Sequence, residues 1–495
     1  MNEKLHPRQA RLFGHRDFRL LLTGAAAAQT GSQVTLVALP LVAVVVLDAT
    51  PFEVGLLTAA ETAAFLLVGL PAGAWLDRMR KLPVLIRADV VRCLAVGSIP
   101  PAAALGVLTM PQLYLVALVT GVATVFFDVA HQSLLPAVLP REQLVAGNGA
   151  LETVRSSAQI AGPGLGGGLV QLLGAPVAIV ADACGYLASA LLLARIRVEE
   201  PQPEPEPGRS LRAEVAEGVR FVLGHPLLRA IATATATSNL FAAVLMAVQT
   251  VFWVRVLDLS PGAIGALLSA SAVGGLAGAL CAGQLARWVG QARLIWLATV
   301  VTAPFAVLWP LSGGAAGALL FGLGSGVVLF GAVAYNVAQV SFRQSVCPPE
   351  LLGRMNATMR FLVWGTLPIG ALGGGLVADW AGPRAALWLC AVGFLLVPVP
   401  LLLSPLRGMR ELPAAPYEPR AVDAGEAQLA AEAQHTAEAQ RAGEAQDAVE
   451  APSAGGPGAS RTCPRRGGGA ARRAGRRRRL RRRRPVAAGR RAPGC

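Results

Sequence analysis

From residue 19 onward the chain runs through long apolar stretches separated by short polar links. Twelve stretches reach the roughly 20 residues a bilayer-crossing helix needs: 19–47, 53–76, 84–107, 111–136, 150–173, 175–195, 227–254, 261–286, 292–312, 315–340, 354–378 and 384–404. Barrel strands would alternate with period two, and these do not, so the pattern predicts helices, the form that satisfies its backbone within each segment. Cations gather in every second link: Arg8, Arg11, Arg16 and Arg19; Arg78, Arg80 and Lys81; Arg141; Arg195, Arg197, Arg209, Arg212 and Arg220; Arg287 and Arg293; Arg343 and Arg354; Arg407 and Arg410. The alternate links hold only Arg255 and Arg384. Lys and Arg stay on the inner side, so both termini are expected in the cytoplasm of a multi-pass inner-membrane protein.

The spans divide six and six around residues 196–226. Residues 1–18 read as a cytoplasmic N-terminus, 19–195 as one six-helix bundle, 227–405 as a second and 406–495 as a disordered tail. The link opens on E-E-P-Q-P-E-P-E-P-G (199–208), a stiff spacer. Leu211, Val215, Val219 and Val222 then follow at spacings of three and four, as in an amphipathic helix lying on the inner surface or packed on the bundle. The halves also repeat. P-R-E-Q-L-V-A-G-N (140–148) aligns with P-P-E-L-L-G-R-M-N (348–356), and G-G-G-L-V recurs at 166–170 and 373–377. Parallel six-helix repeats are a transporter architecture.

Composition agrees with the bilayer. Of 495 residues 54% are hydrophobic and 15% charged, against about 25% charged in soluble chains. The net charge of +15 is a property of the tail: residues 461–495 hold 15 Arg and no acid, which leaves 44 − 15 = 29 cations against 29 acids in residues 1–460. Nucleic acid is therefore not an expected partner. The tail repeats E-A-Q at Glu426, Glu432, Glu438 and Glu444, and such low complexity buries too little to fold. The seven cysteines form no C-x-x-C, the five histidines no H-E-x-x-H, and no G-x-x-x-x-G-K-[ST] occurs. No metal, cofactor, nucleotide hydrolysis or enzymatic cluster is indicated.

Between the second and third spans lies G-A-W-L-D-R-M-R-K (73–81). Gly73, Asp77, Arg78, Arg80 and Lys81 match the loop signature G-x-x-x-D-R/K-x-G-R-R/K, without the Gly before the last basic pair, and the chain here resembles the major facilitator superfamily. A degenerate copy, G-Q-L-A-R-W-V-G-Q-A-R (283–293), keeps Gly283 and Gly290 and puts Arg287 in place of the acid. The resemblance covers residues 12–405. It implies an all-α membrane protein with twelve transmembrane helices in two pseudo-symmetric six-helix bundles. It also implies that Asp77 meets the N-terminus of the eleventh helix, near Arg354–Thr358, in the outward-open state. In the fifth span Gly149, Gly162, Pro163, Gly166 and Gly167 fit the antiporter signature of the family, with Ala158 replacing one Gly, and Pro163 should kink that helix. The resemblance is closest to the macrolide and siderophore exporters of the drug-efflux branch. It implies a monomeric exporter of amphipathic small molecules, driven by protons. The alternatives are a narrow-substrate siderophore or metabolite exporter, an importer, or a membrane tether presenting the tail.

The antiporter Arg of the fourth span is missing from A-L-V-T-G-V-A (117–123), so proton coupling has to lie elsewhere. Ionisable groups inside spans are costly and mark function. Glu61, near the middle of the second span with no cation neighbouring it in its helix, and Asp182, in the outer part of the sixth, are the candidate coupling or substrate groups. Asp89 with Arg92, Asp128, Glu152 with Arg155, and Arg360 read as ion pairs or snorkelling groups near cytoplasmic ends. Gln29, Gln33, Asn239, Gln249, Tyr335, Asn336 and Gln339 are cavity-lining or interhelical hydrogen-bonding candidates.

Overall fold

A computed structural model of the chain describes residues 12–77, 79–140, 143–198, 219–347 and 352–410. Most of the Pro-rich link, the tail and parts of both copies of the 140/348 repeat lie outside these residues. Every regular element among the described residues is helical. The first half comprises α1 (Arg16–Leu41, prolonged by a π turn Val42–Val46), α2 (Pro51–Asp77), α3 (Lys81–Gly97, then Ile99–Ala104), α4 (Met110–Val138), α5 (Leu144–Leu173) and α6 (Ala175–Ala178, then Val180–Leu193). The second comprises α7 (Pro226–Arg255), α8 (Pro261–Val289), α9 (Gln291–Thr302, prolonged through Ala303–Val307 to Leu308–Leu311), α10 (Gly317–Val346), α11 (Leu352–Trp364, then Thr366–Ala381) and α12 (Pro383–Leu396, then Val399–Leu402). Ten of these segments are long and apolar enough to cross a membrane; α3 and α5 are the others, diluted by Arg87, Asp89 and Arg92 and by Glu152 and Arg155. Residues 219–224 are helical and Val222 is fully buried in the main core, so the end of the central link packs on the bundle.

Packing repeats as the sequence does. In the first half α1 lies against α5 and α6, α2 against α4, and α3 against α4 and α6. In the second, α7 lies against α11 and α12, α8 against α10, and α9 against α10. Two seams join the halves, α5 on α8 and α2 on α11. A Cβ on Gly167 of α5 would fall 2.5 Å from the Pro261 carbonyl and 2.8 Å from the Cα of Gly265. A Cβ on Gly375 of α11 would fall 2.9 Å from the Pro51 carbonyl and 3.0 Å from the Cα of Gly55. Only glycine lets backbones come this close, and such contacts are how helices associate in lipid.

The seams expose a second repeat that the sequence reading missed: L-D-A-T-P-F-E-V-G (47–55) and L-D-L-S-P-G-A-I-G (257–265). Asp48 and Asp258 hold φ of 49° and 51°, the positive-φ positions other than glycine among the described residues. Thr50 and Ser260 then begin α2 and α8. Thr50 and Glu53 form a reciprocal capping box, with the Thr50 N–H donating to Glu53 Oε2 at 2.8 Å and the Glu53 N–H to Thr50 Oγ1 at 3.2 Å. Ser260 Oγ accepts from the Ala263 N–H at 3.3 Å.

Candidate functional site

A cavity of about 1110 Å³ lies between the halves. Both seams lie at one end of the bundle. There Arg255 donates to Asp48 Oδ1 at 2.8 Å and to the Ala49 carbonyl at 2.9 Å, the Gly262 N–H to Gln171 Oε1 at 2.9 Å, and the Gly164 N–H to Ser269 Oγ at 2.9 Å. These are the described hydrogen bonds that cross from one half to the other, so this end is latched shut. Toward it the lining is apolar, with Leu39, Pro40, Trp253 and Ile264. Toward the other end it becomes polar and reaches Asn148, Glu152 and Arg155 near the start of α5.

The charge on the lining is divided unevenly. Glu61, Asp128, Glu152 and Asp182 all come from the first half, while Arg360 is the charged group lining it from the second. Arg360 lies 5.0 Å from the Trp364 ring, and Trp364 meets Phe65 of α2 edge-on at 4.4 Å. Asp128 is within electrostatic reach of Arg92, Arg155 and Arg360. Glu152 and Arg155 pair at 3.1 Å on the exposed face of α5. The ion pair expected of Glu152 and Arg155 is thus present, and none of Asp128, Glu152, Arg155 and Arg360 has to reach a headgroup layer. They face a cavity between the halves, which carries polar groups to membrane depth without exposing them to lipid.

Glu61 stands exposed in this cavity and no described side chain pairs with it. Asp182 also borders it, yet is only 1% exposed, and neither carboxylate oxygen has a hydrogen-bond partner. Asp182 sits so close to α1 that a Cβ on Gly31 would fall 2.7 Å from its Cα. Asp89 and Arg92 form the ion pair expected from their spacing, and both are buried. The Arg92 guanidinium is clamped between two rings, 4.2 Å from Phe127 of α4 and 4.4 Å from Tyr186 of α6. The sequence offered i, i+3 spacing for the pair but no sign of the clamp, because both rings come from other helices.

The loop signature is only partly described. Gly73 and Asp77 belong to the last turns of α2, and Arg78 lies outside the described residues. Arg80 is the N-cap residue of α3, and the Lys81 ammonium donates to the Leu76 carbonyl, placing a cation on the C-terminal end of α2. In the fifth-span signature Gly162 faces the Gln33 side chain, Gly166 the backbone of Val34, and Gly167 the α8 seam. Gly149 faces open space. Pro163 lies within a single helix, Leu144–Leu173. Of the polar candidates Gln29, Gln33 and Gln249 line the cavity. The others hydrogen-bond between or along helices: Asn239 to the Val363 carbonyl at 3.3 Å, Tyr335 with Thr235 at 2.6 Å, and Gln339 to Asn336 at 2.8 Å.

The family model described as Major Facilitator Superfamily matches residues 21–366. The chain is 27% identical over 414 residues to the multidrug efflux pump Tap of Mycolicibacterium fortuitum, covering 80% of this chain and 97% of that one. Among solved structures it resembles a bacterial homologue of the iron transporter ferroportin. Against the inward-facing state the TM-score is 0.64 at 16% identity, covering 78% of this chain and 98% of the other; against the outward-facing state, with the same identity and coverage, it is 0.54. With a matched model spanning most of both helical halves, two bundles that repeat one packing plan and a cavity latched at one end, the chain belongs to the Major Facilitator Superfamily and is a multi-pass membrane transporter.

Proposed function

We propose that the chain exports amphipathic small molecules across the inner membrane by alternating access, with both termini in the cytoplasm and protons moving inward as the driving ion. The observation that carries this reading is the cavity. Its volume suits drug-sized ligands, its latched end is apolar, and its charge is concentrated on one half. A molecule with an apolar body and a polar or cationic group finds both surfaces there. The name of the Tap relatives points the same way. With the cation-poor links outside, the latched end is extracellular and the cavity is open to the cytoplasm, the loading side for an exporter. Asp77 then engages the N-terminus of α11 only after the cavity turns outward, and so biases the cycle. Glu61 and Asp182 serve as proton or substrate groups, and a single chain suffices.

Ethidium is a suitable probe. Proteoliposomes carrying the protein should accumulate it against its gradient when a pH gradient is imposed, and Glu61→Gln should lose the pH-driven component while retaining ethidium exchange. A chain lacking residues 406–495 should transport as well as the full chain. Loss of transport on that deletion, or absence of any ethidium movement, would favour a membrane tether presenting its tail.

A further inference from the structure

Arg92 occupies the place in the chemistry that the fourth span leaves vacant. It is a cation inside the bundle, 5% exposed, on α3. Its position is set from two other helices, by the rings of Phe127 and Tyr186. A desolvated guanidinium held against aromatic faces is attracted by both ring quadrupoles. Its head is therefore fixed in place while its donors remain available to more than one acceptor.

Two buried carboxylates lie within electrostatic reach of those donors. Asp89, three residues earlier on α3, holds one guanidinium nitrogen, but its Oδ2 is buried without a partner and so is Arg92 Nε. Asp182 lies one turn before Tyr186 on α6, on the same face as the ring that clamps Arg92. It is within electrostatic reach of Arg92, Asp89 and Glu61. The helices packed on the Val180–Leu193 part of α6, which carries Asp182, are α1 and α3. From α1 the facing residues are the uncharged Gly31 and Thr35, and from α3 Asp89, Arg92 and Cys93; Glu61 of α2 is across the cavity, and Cys184 and Tyr186 are on α6 itself. Asp128 and His131 of α4 approach from the Arg92 side. One cation thus lies within reach of two buried acids and is paired with one of them, Asp89. An ion pair with a second buried anion beside it is expensive, whereas the same set with one proton added is neutral.

We propose that Asp89, Arg92 and Asp182 form a proton-carrying triad in which Arg92 is handed from Asp89 to Asp182 when Asp182 gives up its proton. The structure corresponds to the loaded state, with Arg92 on Asp89 and Asp182 carrying the proton. Release breaks the O–H bond of Asp182, the proton passes to water in the cavity, and the carboxylate left behind takes up the free donors of Arg92. The transfer draws α6 onto α3 and loosens the hold of Asp89. In this scheme Arg92 is a positioning residue for the proton site. The scheme rests on the reading of the chain as a proton-coupled exporter.

Two measurements on the full chain test it separately from that reading. The first is infrared difference spectroscopy of the reconstituted protein between two pH values, which needs no substrate. Wild type should show the carbonyl band of a carboxylic acid that disappears as the pH rises. Asp182→Asn should lack it. Arg92→Gln should move the pH at which it disappears, and Arg92→Lys should return that pH toward wild type. A packing defect would alter no midpoint. Should Arg92→Gln fail to fold, Asp89→Asn/Arg92→Gln leaves no unpaired buried charge, and its midpoint should be displaced from that of Asp89→Asn alone. A band unchanged by Asp182→Asn, or a midpoint indifferent to Arg92, overturns the triad. The second is pH-driven ethidium accumulation, which Asp182→Asn should abolish while exchange persists. Coupled transport surviving in Asp182→Asn overturns the triad and leaves the exporter standing. A wild type with the expected band but no pH-driven accumulation overturns the proton-driven exporter and leaves the triad as a proton site.

Discussion

Gly149 and Gly167 belong to one sequence signature yet meet opposite surroundings. Open space surrounds Gly149, whereas a Cβ on Gly167 would press on the backbone of Pro261 and Gly265. Backbone cannot swing aside as a side-chain tip can, so Gly167→Ala must part α5 from α8. Overpacking of this kind costs about 1–3 kcal/mol. Gly149→Ala gains helix propensity instead, about 0.5–1 kcal/mol. In thermal unfolding of the purified protein Gly167→Ala should lower Tm and Gly149→Ala should leave it equal or raise it. Equal losses from both would mean that the signature acts through something other than contact. The glycines were legible in the sequence because their spacing is a pattern. Their separate surfaces were not, since Gly265 lies almost a hundred residues away in the chain. The same reason hid the clamp on Arg92: i, i+3 spacing revealed Asp89, while Phe127 and Tyr186 reach it only through the packing of α3 against α4 and α6.

At the level of the element, helix ends carry most of the polar logic. The spans themselves were readable because a bilayer leaves the backbone no alternative to a helix. Where charges entered, in α3 and α5, hydropathy weakened but the helices persisted around the cavity. The start of α7 shows a cap that no motif announced. His225, ahead of Pro226, accepts at Nδ1 from the N–H groups of Leu227 at 3.2 Å and Leu228 at 3.4 Å. Only the neutral ring has that lone pair, and burial holds the imidazole below its usual range. The unfolded chain therefore binds a proton that the folded chain resists. This contribution to stability is present above the ordinary histidine pKa of about 6.5 and is lost as the pH falls below it, toward the lower folded value. His225→Asn keeps a cap acceptor without a titrating ring. Between pH 7.5 and 5.5 the variant should lose less Tm than wild type does; an identical loss would place the acid sensitivity elsewhere.

At the scale of the whole molecule, the two halves repeat one packing plan with different side chains, and differences at the latched end can bias which way the cavity faces. The seams α5/α8 and α2/α11 are repeated copies built on Gly167 with Gly265 and Gly375 with Gly55. The loops that precede α2 and α8 are copies too, down to the strained Asp48 and Asp258. The copies differ at several positions, and one of the differences carries an ion pair. Arg255 binds Asp48 and the Ala49 carbonyl, whereas its counterpart 210 residues earlier is Val45, which is exposed. The latched end thus carries one of two possible cross-half ion pairs. An exposed pair contributes about 0.2–1 kcal/mol and a hydrogen bond from a charged donor up to about 3. A shift of about 1–3 kcal/mol changes the ratio of the two states by about 5- to 150-fold. With spin labels at positions 105 and 311, just after α3 and at the end of α9 at the latched end of the two halves, Arg255→Ala should increase the long-distance, unlatched population. Val45→Arg brings a guanidinium to the copy of that site, with Asp258 as its acceptor, and should decrease it. The pair of variants separates a latch from a local support. If Arg255 only braced its own loop, Val45→Arg would have nothing to reinforce and the distance distribution would stay as in wild type. Opposite displacements would mean that the resting direction of this transporter is set by a single side chain at which its two halves differ.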